Sequence, residues 1–166
     1  LLGACSTPTR TAITSTKTQS GRIAVQVVND ASRSFNADFE LTGSARSGQL
    51  LLSGILGTRL AEATWGPAQV ILNTGSEQHI FQTLDQMAQE VFGESIPLAA
   101  LFDWLEGHPW PQAPSRPLAD KTPGFQQIGW VIDLQRFDEG RLLAQRASPP
   151  DSTQPELRLR IRLDRP

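Results

Sequence analysis

Residues 35–42 read FNADFELT, in which Phe35, Ala37, Phe39 and Leu41 alternate with Asn36, Asp38 and Glu40. A period of two is the mark of a strand with one dry and one wet face. Outward from it the period persists. GRIAVQVV (21–28) sets Ile23, Val25 and Val27 on one face, and QLLLSG (49–54), TRLAEATW (58–65), AQVILNT (68–74) and EQHIFQ (77–82) follow at short intervals. Gly48, Gly54, Gly57, Gly66-Pro67 and Gly75 punctuate them, as antiparallel strands joined by tight turns require. GWVIDLQRF (129–137), GRLLAQRA (140–147) and ELRLRIRL (156–163) resume the pattern; in the last, Leu157, Leu159, Ile161 and Leu163 alternate with Arg158, Arg160 and Arg162.

Between the two sets of strands the period becomes helical. Thr83 is placed to cap a helix with Gln86 as the reciprocal partner of a capping box, and Leu84, Met87, Ala88 and Val91 line one face until Gly93 stops it. Pro97 suits the first turn of a second helix, where Leu98, Leu101, Phe102 and Leu105 recur at helical spacing up to Gly107. Residues 108–124 hold five prolines, among them Pro109 and Pro123, and are expected to form a connecting loop. The fold class is therefore mainly β with helices (α+β). The two apolar-faced helices either fill the dry face of a curved antiparallel sheet as a core or lie over it as a lid above an apolar cavity. Periodicity alone leaves both open.

Composition excludes several functions. With a net charge of −2 the chain offers no electrostatic case for nucleic acid. His79 and His108 have no second His or Cys at ligand spacing, so no metal site is expected, and no nucleophile elbow, phosphate loop or dinucleotide fingerprint occurs. Asp103 and Glu106 share a helical face, either solvated beside Phe102 and Trp104 or an acid/base pair. Arg158, Arg160 and Arg162 are either the wet side of a strand or a docking stripe for a partner or anionic headgroups. No enzymatic activity and no cofactor are expected.

The lone cysteine, Cys5, follows LLGA (1–4) and admits two readings, a free thiol or a modified one. Leu1 and Leu2 read as the end of an apolar signal segment and Gly3-Ala4 as the small residues before a cleavage site. Leu2-Gly3-Ala4-Cys5 matches the bacterial lipobox, in which the thiol receives a diacylglycerol and the new amino group an acyl chain. The Ser/Thr-rich run after it gives the expected division: residues 1–5 as signal end and lipobox, 6–20 as a flexible tether, 21–166 as one domain.

Four segments carry a resemblance. SGRIAVQ (20–26), LLLSGILGT (50–58), IPLAALFDWLEG (96–107) and GWVIDL (129–134) resemble, in order and spacing, the LolB family of outer-membrane lipoprotein receptors of Gram-negative bacteria. The resemblance implies a half-open antiparallel β-barrel with a short helical lid over an apolar cavity. It implies a monomer anchored by lipid on Cys5 to the outer membrane, facing the periplasm, with Ser6 compatible with that sorting. Its partners would be a soluble LolA-like carrier and the acylated lipoproteins it accepts and inserts into the membrane. Candidate acyl-cavity residues are Phe35, Phe39, Trp65, Ile71, Phe81, Met87, Phe92, Ile96, Leu101 and Phe102. The turn GILGT (54–58) aligns with the family's Pro-Leu-Gly turn, with Ile55 in place of the proline. Leu56, flanked by Ile55 and Gly57, is the candidate membrane-insertion residue if it projects outward; the other reading tucks both side chains under the sheet. A second class of function stays open, a lipid-anchored interaction module of the cell envelope with a filled core.

Overall fold

A computed structural model describes residues 17–164 of the chain; Cys5 and the tether to residue 16 lie outside the described residues. The strands are β1 (Thr18–Val27), β2 (Phe35–Gly43), β3 (Gly48–Ser53), β4 (Arg59–Trp65), β5 (Val70–Thr74), β6 (Glu77–Phe81), β7 (Ser115–Pro117), β8 (Gly124–Gln127), β9 (Trp130–Asp133), β10 (Arg141–Arg146) and β11 (Leu157–Leu163), with helices α1 (Leu84–Phe92) and α2 (Leu98–Trp104) between β6 and β7. They form one antiparallel sheet in the order β6-β5-β4-β3-β2-β1-β11-β10-β9-β8-β7. Among the described residues only the β1–β11 pairing closes a long loop of sequence, and it joins two meanders into one surface. No ladder joins β6 to β7, so the sheet is a half-open barrel.

The alternation that predicts the strands also sets their register. Ile23, Val25 and Val27 on β1 stand opposite Ile161, Leu159 and Leu157 on β11. The inward row continues through Leu142 and Ala144 of β10. On β2, Ala37, Phe39 and Leu41 are buried while Asn36 and Glu40 are exposed. A one-residue slip would turn this whole set to solvent, so the apolar pattern holds the pairing in place.

Three boundaries differ from expectation. β1 begins at Thr18, so the last residues assigned to the tether are strand, paired with β2 as Thr18 opposite Thr42. Within the expected loop of 108–124, Ser115–Pro117 forms a short edge strand on β8, a place where proline is tolerated because its missing N–H faces away from the ladder. On α1 the buried face is Leu84, Met87 and Ala88, while Val91 is exposed and Phe92 turns inward in its place. Thr83 caps α1 by accepting from the Gln86 N–H at 3.1 Å. The Gln86 side chain reaches back one residue further than a capping box requires, accepting from the Gln82 N–H at 2.9 Å. Gly93 ends the helix in the left-handed conformation, φ +65°, which glycine adopts without a Cβ clash.

Candidate functional site

The dry face of the sheet and the helices enclose an apolar space. Ile23, Val25, Phe35, Phe39, Leu41, Leu50, Leu52, Trp65 and Ile161 supply the sheet wall; Phe92, Ile96, Leu98, Leu101, Phe102 and Leu105 supply the helical wall. Every lining side chain is hydrocarbon or aromatic. Two aromatic pairs join the walls: Phe35 stacks on Phe92 with ring centres 5.4 Å apart, and Trp65 meets Phe102 edge to face at 5.9 Å. The open volume is about 50 Å³, enough for a few water molecules at most. The space as it stands is too small to hold a long hydrocarbon chain.

Seven of the ten cavity candidates line this space: Phe35, Phe39, Trp65, Phe92, Ile96, Leu101 and Phe102. Three do not. Ile71 lies between the buried Val70 and Leu72, so the strand period turns it to the outer face, opposite the exposed Ile80. Met87 is buried in the core but is not among the side chains that line the cavity. Phe81 ends β6 opposite Val70 and is half-buried against the core beyond the lining. The aliphatic liners Leu50 and Leu52 were not singled out, because QLLLSG is apolar without a break and carries no alternation to mark its inward side. Trp104, expected beside a solvated face, is fully buried, and its indole N–H donates to Gln127 Oε1 at 2.9 Å. Gln127 also accepts from Trp110 N–H and donates to the Trp110 and Ala113 carbonyls, so one buried amide ties the proline-rich loop to α2. Burial, then the nearby Glu106 charge, raises the Asp103 carboxyl above its ordinary value; Glu106 itself is engaged by Lys17 at 2.8 Å.

A charged clamp, absent from the sequence reading, fixes the connection between the helices. Glu94 is buried and accepts from Arg146 through Oε2 and from Arg33 through Oε1, both at 2.9 Å. Arg146 further donates to the Ser95 and Pro155 carbonyls and lies over the Trp130 ring at 5.8 Å. Arg33 continues to Asp30 at 2.6 Å, and hydrogen bonds from Ser32 and Arg33 hold the Asp30 carboxyl below its usual range. The signal was present: along β10, Leu142, Ala144 and Arg146 occupy the inward register, so a charge stands where the alternation calls for an apolar residue.

The β3–β4 connection is built for protrusion. The Gly54 carbonyl accepts from the Gly57 N–H at 2.9 Å, and the Gly54 N–H donates to the Thr58 carbonyl at 2.8 Å, closing a tight turn with Gly57 at φ +72°. Ile55 and Leu56 at its tip are 88% and 94% exposed. Hairpin tips are ordinarily polar, and this one instead sets two aliphatic side chains in solvent. Among the described residues no group of side chains is arranged to hold a metal ion, and no helix is long and apolar enough to cross a membrane.

Comparison with known proteins gives one consistent result. A family model described as outer membrane lipoprotein LolB matches residues 17–165. A curated protein of Bordetella petrii named outer-membrane lipoprotein LolB is 31% identical over 156 residues, covering 89% of this chain and 73% of the relative. Proteins of the same name from Chromohalobacter salexigens and Cellvibrio japonicus are each 28% identical over 69% of this chain. The matched stretches span 54% and 60% of those two relatives, little more than half their length.

Proposed function

The chain belongs to the LolB family of outer-membrane lipoproteins, and from that premise we propose that it accepts acylated lipoproteins from a soluble LolA-like carrier and delivers them into the outer membrane. The observation that supports this most is the wholly apolar lining of the space beneath α2. An acyl chain gains about 0.8 kcal/mol per methylene on leaving water, so it passes only between apolar sites. Direction follows affinity, each 1.4 kcal/mol of difference being about tenfold in distribution. The step breaks and forms no covalent bond; the chain's own residues bind, cover and release. Cys5, outside the described residues, is proposed to carry the diacylglycerol and N-acyl chains that hold the domain at the membrane.

The small open volume favours a second reading, an anchored interaction module with a filled core. One mutant separates the two. Leu101→Gln is expected to lower affinity for a lipopeptide or apolar fluorescent probe at least tenfold, while the buried amide costs about 1–3 kcal/mol of folding energy. Probe titration and calorimetric melting are read together. If the unmutated chain binds no probe and Leu101→Gln changes only the melting temperature, the interior is a packed core.

The anchor has its own test. Cys5→Ala is expected to leave the domain folded and release it from the membrane fraction. Intact-mass spectrometry of membrane-extracted protein that finds a bare thiol at Cys5 refutes lipidation there.

A further inference from the structure

The outer face of the sheet carries a charge pattern that acyl transfer does not use. Register places Arg22 of β1, Arg162 of β11 and Arg141 of β10 directly opposite one another, with Arg160 next along the same face of β11. Like charges so paired oppose sheet formation. Arg22 is answered by Asp38 at 2.9 Å, Arg141 by Glu139 at 3.8 Å and Arg158 by Glu156 at 2.7 Å. Arg160 and Arg162 have no ion-pair partner among the described residues. Both border a groove of about 550 Å³ lined also by Arg22, Arg136, Arg141 and Leu143. Its one carboxylate, Asp133, is occupied by the Gln135 backbone and side-chain amides.

The same register fixes where this groove lies. The row that holds Arg162 and Arg22 continues through Asp38 of β2 to Ser53 of β3, the residue immediately before the Gly54–Gly57 turn. The unanswered Arg162 and the turn that carries the projecting Ile55 and Leu56 thus lie on one cross-strand row, with Arg162 three strand spacings, roughly 15 Å, from Ser53 at the foot of the turn. Cationic side chains beside exposed aliphatic ones are the pattern of a surface that meets anionic lipid. We propose that the arginine row is a docking surface for anionic phospholipid headgroups, whose phosphates seat on Arg160 and Arg162 and so turn the Ile55–Leu56 tip toward the apolar layer. An acidic protein would satisfy the charges, but nothing in that choice uses the aliphatic tip beside them. The insertion role of Leu56 belongs to the proposed function; the headgroup site is separable from it and is tested in a separate arm.

The test uses the full chain with Cys5→Ser, so that no anchor masks weaker binding, and vesicles of phosphatidylcholine alone or with roughly one quarter phosphatidylglycerol. Wild-type binding is expected to be at least about twentyfold tighter on the anionic vesicles, with the difference lost near 0.5 M salt. Arg160→Gln/Arg162→Gln is expected to remove most of that difference, about fivefold for each charge, and to leave binding to neutral vesicles and the melting temperature unchanged. The double Lys variant should retain it, because headgroup attraction needs charge more than geometry. Leu56→Gln, which removes the apolar side chain without adding charge, should weaken both vesicle types alike, which keeps failure of the insertion reading distinct from failure of this one. If the double Gln variant does not fold, Arg162→Gln alone carries the test with a fivefold loss expected. The proposal is overturned by anionic binding that survives the Gln substitutions, by inorganic phosphate at millimolar concentration abolishing the preference, or by a loss confined to binding of the soluble carrier.

Discussion

A chain carrying Leu56→Glu is expected to take cargo from the carrier at close to the wild-type rate and to deliver it into vesicles at least about tenfold more slowly. The side chain is 94% exposed on a four-residue turn closed by its own backbone hydrogen bonds, so the substitution touches neither the cavity nor the core. Surface changes of this kind ordinarily move stability by less than about 0.5 kcal/mol. What it removes is the gain of about 1.5–3 kcal/mol that a leucine contributes on entering an apolar phase, and it sets a carboxylate in its place. That gain is too small to anchor a protein but large enough to bias a release step, since it corresponds to roughly tenfold or more. Leu56→Met, equally apolar, should restore delivery. The measurement is transfer of labelled lipoprotein from loaded carrier to vesicles, with retention on the receptor scored separately. Normal retention with delivery at the wild-type rate would show that Leu56 is not the inserting residue.

Arg146→Ala should cost about 3–5 kcal/mol of folding stability. Glu94 and Arg146 retain only 7% and 11% of their side-chain exposure, so solvent does little to screen the loss. Removing the guanidinium leaves Glu94 with Arg33 as its one cation and frees the Ser95 and Pro155 carbonyls. In a domain of this length each kcal/mol moves the melting temperature by about 2–4 °C, so a fall of roughly 10 °C is expected. Pairing it with Glu94→Gln should recover part of the loss, because the isolated buried charge is what makes the single change expensive. The clamp also fixes Glu94 and Ser95 between the two helices, so the same variant should raise hydrogen exchange across 93–97. A melting change under about 2 °C would mean the clamp is not a stabilising element.

The strands and their inward faces were legible because a half-buried sheet writes its geometry into the sequence directly. In β2 and β11 every second residue is apolar, and the structure buries those positions from Ala37 to Leu41 and from Leu157 to Ile161. The pattern fails where that coupling fails. QLLLSG is apolar on both faces, so its inward residues were invisible as a set. Ile71 is bulky and apolar yet points outward, since the pleat, and not the side chain, decides direction. Helix faces were harder, because one turn tolerates small rotations: Phe92 replaces Val91 at the end of α1. The charged clamp escaped because its members, Asp30, Arg33, Glu94 and Arg146, are scattered along the chain and meet only in three dimensions.

The sheet ends at β6 and β7 without joining them, and this has a mechanical consequence. In a closed barrel, strand number and stagger set the bore, and widening it means breaking ladder hydrogen bonds. Here the circumference is not a closed ring. The two meanders meet at the β1–β11 pairing, and no ladder hydrogen bond between β6 and β7 would have to break for those margins to part. The interior thus has one side whose width no backbone ladder fixes.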